Sequence, residues 1–461
     1  MYGITLFLLW VLKENIVEIR KNVPNNWEVL KFLLWSPVLL VSFAVLLVLV
    51  PVAKLYQLIV TAILKIKLGN EYCESITGTN LLMGADIWHN SLINTLVVVQ
   101  YNSTLTNKNF FDYTKKIFER RRSENRIHKK FFAGMYKFMG YLFFKNLKVE
   151  LNDVLRPLPL ADNLDKKELI NVLKTCVFQP LPLDGAVLWD LYIGTQPIQN
   201  WKTNTDAGVE YYPLLFRTHH VLADGASLSK TLQSLFHDCD EIVKSDFEPM
   251  KTMTAAIIET AHYCKKCPDY ITTALPVITD LAQLRKLRQI DSNNVTATNQ
   301  YSLLQLKLPI NVSKCKSWDS NAPMISRAKI VGEALETLKN SIEPQFSSIL
   351  LEQLLGSLPF WFMQKFGQNI QNTAATTFLP GPPKLVYKKG VYEISDCVFW
   401  VPHILNLGVG FSSITYDDHL AIGLSSDSQF KDQFYVDEIL NNIYRNIDLM
   451  EEEIERLLKK E

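Results

Sequence analysis

Two adjacent histidines, followed at a fixed distance by an aspartate and a glycine, are the residues of this chain best suited to chemistry. Phe216 to Leu228 reads FRTHHVLADGASL: His219 and His220, three apolar residues, then Asp224 and Gly225. Imidazole titrates near neutrality, so a histidine placed here can take a proton from a hydroxyl and return it later in the same reaction. Acyl transfer from a thioester to an alcohol uses that ability directly. His220 removes the hydroxyl proton as the oxygen attacks, a tetrahedral oxyanion forms, and the imidazolium protonates the departing thiolate. With both substrates bound together, no serine or cysteine nucleophile is required. Asp224 is spaced to close the turn and fix the loop through a salt bridge, and Gly225 admits a tight turn and close substrate approach. The plainer alternative is a polar turn whose histidines are only hydrogen-bonded.

The motif needs a strand to deliver it and a helix to receive it. Tyr212 to Arg217 reads as that strand and the run from Ala226 as that helix. Upstream, Ile93–Tyr101 reads as a strand, Phe110–Arg122 as a helix, Lys148–Val154 as an alternating strand, and Asp165–Cys176 as a helix with Asn163 or Asp165 as its cap. Ala186–Ile193, AVLWDLYI, reads as a further strand. Phe247–Arg288 reads as mostly helical, and Asp291–Thr298, DSNNVTAT, as a polar boundary before a second lobe near Tyr301. That lobe ends in a hairpin, Leu407–Tyr416 and Leu420–Leu424 about an Asp417-Asp418-His419 turn. A long amphipathic helix follows, with Val436, Ile439, Leu440, Ile443 and Ile447 as its core stripe.

The HHxxxDG pattern resembles that of the wax ester synthase/diacylglycerol acyltransferase family, within the CoA-dependent acyltransferase superfamily. Leu188-Trp189 is similar to the family's Pro-Leu-Trp segment, with Val187 in place of the proline. TFLPGPP, containing Pro380, Gly381 and Pro382, is similar to its Asn-Val-Pro-Gly-Pro stretch, with Phe378 and Leu379 as the departures. The hairpin ending at Asp427 resembles its last strand pair. The family's Asn-Asp pair early in the second lobe has no counterpart between Tyr301 and Leu338; Asn321 comes nearest. The resemblance covers about Thr79 to Asn441. It implies an α/β fold of two chloramphenicol acetyltransferase-like lobes with the active site between them. It also implies His220 as catalytic base, His219 shaping the site, Asp224 as structural, and a CoA tunnel between lobes. The implied substrates are acyl-CoA and a fatty alcohol or diacylglycerol, with no metal and no further cofactor. An inactive lipid-binding protein on the same fold, or an acyltransferase for another acceptor, is the alternative.

Composition bounds the class. Among 461 residues, 48 basic and 47 acidic side chains leave a formal charge of +1, which gives a nucleic-acid partner no support. Seven scattered cysteines form no disulfide framework, so a reducing compartment is expected. Cys264 and Cys267 make a lone C-x-x-C without the second pair a zinc site needs. Asn102, Asn294 and Asn311 each begin a glycosylation triplet that a cytosolic domain leaves unused. Arg120 to Arg122 with Arg126, Lys129 and Lys130 form a basic cluster, suited to lipid headgroups, to CoA phosphates, or to a solvated helix end. His403 reads as structural and His419 as a solvated turn residue.

Phe32–Ala53 is uncharged and apolar over 22 residues, about 33 Å as a helix, which spans a bilayer core of about 30 Å. Leu55–Leu64 is apolar again after Lys54, so a single span and a hairpin at Pro51–Lys54 are both open. Met1–Leu12 reads as a membrane-surface contact rather than a cleaved leader. The expected organisation is a membrane segment over 1–70, a lobe with the motif over 71–245, a helical linker over 246–298 and a second lobe over 299–461. The lobes are expected in the cytosol, at the endoplasmic reticulum or a lipid droplet.

Overall fold

The computed structural model describes residues 26–84, 91–106, 108–202, 208–238, 270–278, 301–309, 319–341, 343–368, 374–382, 384–402, 409–417, 419–426 and 433–459. Met1–Leu12, the Cys264–Cys267 pair, Asp291–Thr298, the triplets at Asn294 and Asn311, His403, Asp418 and Asp427 lie outside them. The chain divides into two units, Met1–Leu58 and Ile59–Glu461.

Helix α1 (Asn26–Leu68) runs unbroken through Pro51, so the hairpin alternative at Pro51–Lys54 is replaced by one helix. A proline forfeits one backbone bond and bends a helix without having to end it where apolar residues continue on both sides. From its middle to just past its end, Leu47–Glu71 is long and apolar enough to cross a membrane. The first unit contributes residues 26–58 of that helix to the description.

The second unit begins with the last turns of α1. The chain continues through β1 (Tyr72–Ser75), α2 (Gly78–Gly84), β2 (Leu92–Asn102), α3 (Phe110–Ser123), β3 (Ala133–Phe138) and β4 (Tyr141–Asn146). Next come α4 (Leu151–Val154), β5 (Leu155–Pro157), α5 (Lys166–Val177), β6 (Trp189–Ile193), β7 (Val209–His219) and α6 (Gly225–Phe236). The strand expected over Lys148–Val154 is instead the helical turn α4. The Asp153 carboxylate reaches back to the backbone N–H of Glu150 at 2.8 Å and curls the chain there. Asp165 caps α5 by accepting from the Glu168 N–H at 2.8 Å, as its position ahead of the helix predicts.

The remaining elements are β8 (Tyr270–Ile278), β9 (Tyr301–Pro309), α7 (Pro323–Asn340), α8 (Glu343–Ile349), α9 (Phe360–Gln368), β10 (Ala374–Pro380), β11 (Val386–Lys388), β12 (Tyr392–Trp400), β13 (Val409–Tyr416), β14 (His419–Ser426) and α10 (Gln433–Leu458). Strand β8 corrects the helical reading of the linker: its β-branched run YITTALPVI pairs along its whole length with β9. Pro276 is tolerated because only Thr273 and Ala274 pair with β10 on the other side.

Among the described residues the strands form three sheets. One has the order β11-β12-β2-β7-β6-β5, a second β14-β13-β10-β8-β9, and a third β1-β4-β3. Two strands of the first sheet, β11 and β12, come from residues 386–400, so the late part of the chain completes the early sheet. The two larger sheets touch where β12 ends. There Ser412 Oγ donates to the Phe399 carbonyl, and Ser425 Oγ donates to Val401 O at 3.2 Å. A methyl group on Gly423 would lie 2.2 Å from Phe399 O, so that approach requires glycine. The C-terminal stripe is core, as its spacing predicts: Ile443 is fully buried against Ala374, Phe411 and Leu424, with Val436, Ile439, Leu440 and Ile447 around them.

Candidate active site

Strand β7 lies between β2 and β6, pairing Thr218 with Ile93 on one side and with Trp189 on the other. Both neighbours hold the chain just where β7 ends. The His219 N–H donates to Leu188 O at 2.8 Å, and the His220 N–H to Ser91 O at 2.7 Å. Between them the backbone turns, with the Leu222 N–H donating to His219 O at 3.0 Å. His219 is only 3% exposed, and its Nδ1 accepts from the Val221 N–H at 3.2 Å. That acceptor role puts the proton of the neutral ring on Nε2. His220 is half-buried, while Val221, Leu222 and Ala223 are fully buried and anchor the turn.

Asp224 is the N-cap of α6. Its Oδ1 accepts from the Ser227 N–H at 2.8 Å, satisfying one of the donors that a helix start leaves open. The sequence carried this signal, a short acidic side chain immediately before a helical run. Gly225 follows at the first helical position. A methyl group there would meet Leu379 of β10 at 3.5 Å, so the motif packs against the TFLPGPP strand of the second sheet. Gly381 in that stretch is needed for space: a methyl would fall 1.7 Å from Thr415 O. The structure thus brings together His219, His220, Asp224 and Gly225, and sets Gly225 against Leu379, the residue before the Pro-Gly-Pro segment.

Behind the turn lies a charged pair that the sequence reading passed over. Arg217 and Asp190 face each other in β7 and β6, both fully buried. Arg217 Nε donates to Asp190 Oδ1 at 2.7 Å and Nη2 donates to Oδ2, a two-pronged contact. Its Nη1 also donates to the carbonyls of Cys176 and Gln179, each at 2.7 Å, closing the C-terminal end of α5. Burial pushes the Asp190 carboxyl up from its ordinary value, against the pull of Arg217 and, farther off, Arg156. Opposite charges inside two otherwise apolar strands, WDLYI and YPLLFRTH, were the signal available. Beside the pair, Trp189 is buried, and its Nε1 donates to Phe131 O at 2.6 Å.

Of the basic cluster, Arg121 and Lys130 are buried, Arg126 is half-buried, and Arg120, Arg122 and Lys129 are exposed. Arg121 is fully buried and bonds Leu235 O, His237 O and Asp238. Arg120 pairs with Glu124 and Asp238, Arg126 with Glu124, and Lys130 with Glu74. These partners tie α3 to the end of α6 and answer the charge internally. His419 is exposed, with Nδ1 2.6 Å from Asp417 O. Asn321 bonds the Asp319 carboxylate at the approach to α7, and its carbonyl accepts from Arg456 of α10 at 2.7 Å.

Known proteins share the fold of this chain. A model of the wax ester synthase/diacylglycerol acyltransferase (WS/DGAT) C-terminal domain matches residues 297–451. The trichothecene 15-O-acetyltransferase TRI3 of Fusarium sporotrichioides has a similar structure: 10% identity, TM-score 0.58, covering 82% of this chain and 94% of its own. The first condensation domain of the calcium-dependent antibiotic synthetase gives 10% identity and a TM-score of 0.50 over 82% of this chain and 96% of its own. The wax ester synthase/diacylglycerol acyltransferase of Marinobacter aquaeolei VT8 overlays with a TM-score of 0.48, at 12% identity over 82% of this chain and 99% of its own. No curated protein sequence matches the chain. The fold is therefore the mixed α/β, two-lobed architecture of chloramphenicol acetyltransferase-like enzymes. Residues 297–451, a third of the chain, thus match the C-terminal domain of the wax ester synthase/diacylglycerol acyltransferase family on that fold.

Proposed function

We propose that this acyltransferase moves a long-chain fatty acyl group from acyl-CoA to a lipid alcohol, a fatty alcohol or a diacylglycerol, with His220 as general base. The observation that carries the assignment is the contrast between the two histidines. His219 is buried with Nδ1 committed to the Val221 N–H, whereas His220 is half-buried on the turn that meets the second sheet. The base must reach a substrate hydroxyl, and His220 is the ring nearer to solvent.

The alcohol oxygen attacks the thioester carbonyl while His220 accepts its proton. The new C–O bond leaves a tetrahedral oxyanion, which collapses with cleavage of the C–S bond. The CoA thiolate then takes the proton from the imidazolium, so His220 ends as it began. Asp224 and Gly225 hold the turn, and His219 supports it from within. The site works at a membrane surface, on the cytosolic side of the endoplasmic reticulum or a lipid droplet, where acyl-CoA and lipid acceptor meet.

The test is ester formation from labelled acyl-CoA with a panel of fatty alcohols and diacylglycerols. His220→Ala is expected to lower the rate by about 10² to 10⁴ while the protein stays folded. Near-full activity in that variant sinks the mechanism. Absence of turnover by the unaltered chain with every acceptor would favour a lipid-binding role on the same fold.

A further inference from the structure

Helix α2 belongs to the early chain but is held by the late chain. It packs chiefly against three successive elements: a π-helical turn (Leu350–Leu354), a short helical turn (Leu355–Ser357) and α9. The π turn is a rare geometry, in which the Leu355 N–H reaches back to both Leu350 O and Leu351 O. Single wide turns of this kind recur at functional sites. This one presents Glu352. A single carboxylate oxygen, Oε1, accepts from the Thr79 N–H at 3.1 Å and from the Thr79 hydroxyl at 2.9 Å. Thr79 is buried and Glu352 is exposed, so the carboxylate grips the start of α2 from outside. The fit is close: a methyl group on Gly78 would lie 1.9 Å from Glu352 Oε2, and one on Gly356 would lie 2.5 Å from the Gly78 nitrogen.

At its other end α2 meets the histidine turn. A methyl on Gly84 would lie 3.3 Å from Cγ2 of Val221, the residue after His220. Leu81, Leu82 and Met83, between the two ends, are fully buried. Seven residues of helix span about 10 Å, so Glu352 and Val221 meet opposite ends of one short, buried element. We infer that Glu352 is a positioning residue for His220: through Thr79 it fixes α2, and α2 fixes Val221 and with it the base. Glu352 touches none of the reacting atoms. A general base must sit within hydrogen-bond reach of the hydroxyl it deprotonates, and a displacement of about 1 Å can cost about 10²-fold in rate. A carboxylate with only a structural role would lower stability and leave the turn of the folded molecule as it is. The catalytic part of the inference rests on the proposed function; the packing route from Glu352 to the turn does not.

The test compares Glu352→Ala, Glu352→Gln and Thr79→Val in the full-length, detergent-solubilised chain. Hydrogen exchange is followed in the peptide spanning residues 219–224, with residues 209–216 of β7 and helix α10 as references. Glu352→Ala is expected to speed exchange at 219–224 about tenfold and to leave both references unchanged. Glutamine keeps an acceptor oxygen for Thr79, so Glu352→Gln is expected to stay within about twofold of the unaltered chain. Thr79→Val loses the hydroxyl and keeps the N–H, and should fall between the two. In turnover, Glu352→Ala is expected to lower kcat about tenfold, with KM for acyl-CoA within about twofold. Unchanged exchange at 219–224, a rise shared by both references, equal losses in the alanine and glutamine variants, or an unchanged kcat overturns the inference. Exchange needs no turnover. A chain inactive with every acceptor would therefore sink the acyltransferase reading and still leave the route from Glu352 decided by its own measurement.

Discussion

Arg217, two residues before His219, and its cross-strand partner Asp190 are both fully buried. Stranding one charge of such a pair costs about 3–5 kcal/mol, whereas replacing both by apolar groups costs less than the two losses together. We expect Arg217→Met and Asp190→Leu each to lower the unfolding free energy by about that amount, and the double variant to fall well short of their sum. Urea unfolding of the detergent-solubilised chain measures it, and additive single losses would mean that the pair is not coupled. The double variant still removes the Arg217 donor from the Gln179 carbonyl, while Cys176 O keeps the Gln179 N–H, so about 1–3 kcal/mol remains lost. His220 itself was legible from its spacing to Asp224 and Gly225. The buried pair behind it was not, because a charge in a strand points to a partner only once the strand beside it is known.

Helix α6 begins at the motif, and its start depends on Asp224. Asparagine caps a helix as well as aspartate does, and alanine does not. Asp224→Ala is therefore expected to cost about 1 kcal/mol in thermal or chemical unfolding, and Asp224→Asn a few tenths at most. Equal losses in the two variants would show that the carboxylate charge, rather than the cap, is what the loop needs. Elements with a strong local period were readable: β2, α3, α5, the terminal hairpin and α10 all stand where their patterns put them. Strand β8 was misread because its neighbours on both sides come from distant residues, and tertiary pairing overrode a weak local preference. Lys148–Val154 was misread because one backbone-capping carboxylate outweighed three alternating side chains.

At the scale of the molecule, the early sheet is unfinished without the late chain. Strand β12 pairs with β2 from Tyr392↔Tyr101 to Trp400↔Asn94, covering an edge that is otherwise open and apolar. No sequence pattern announces a partner so far away, which is why a simple division into an early and a late lobe missed the exchange. A fragment of residues 71–245 is expected to aggregate rather than fold, because β2 would present that edge to solvent. Co-expression with residues 246–461 should recover soluble protein. Soluble, monomeric 71–245 with protected β2 amides in hydrogen exchange would refute this.

The same strand exchange sets a timetable for the growing chain. Tyr101↔Tyr392 and Asn94↔Trp400 close the two ends of the β2–β12 pairing, and 298 residues lie between Tyr101 and Trp400. At about 5–20 residues per second, the ribosome needs roughly 15–60 s for that stretch. Throughout that interval the histidine turn has one flank of its sheet waiting, while α1, already synthesised, is free to engage a membrane. The sheet that carries the histidine turn is thus completed only when most of the chain's length has left the exit tunnel, well after the small β1-β4-β3 sheet.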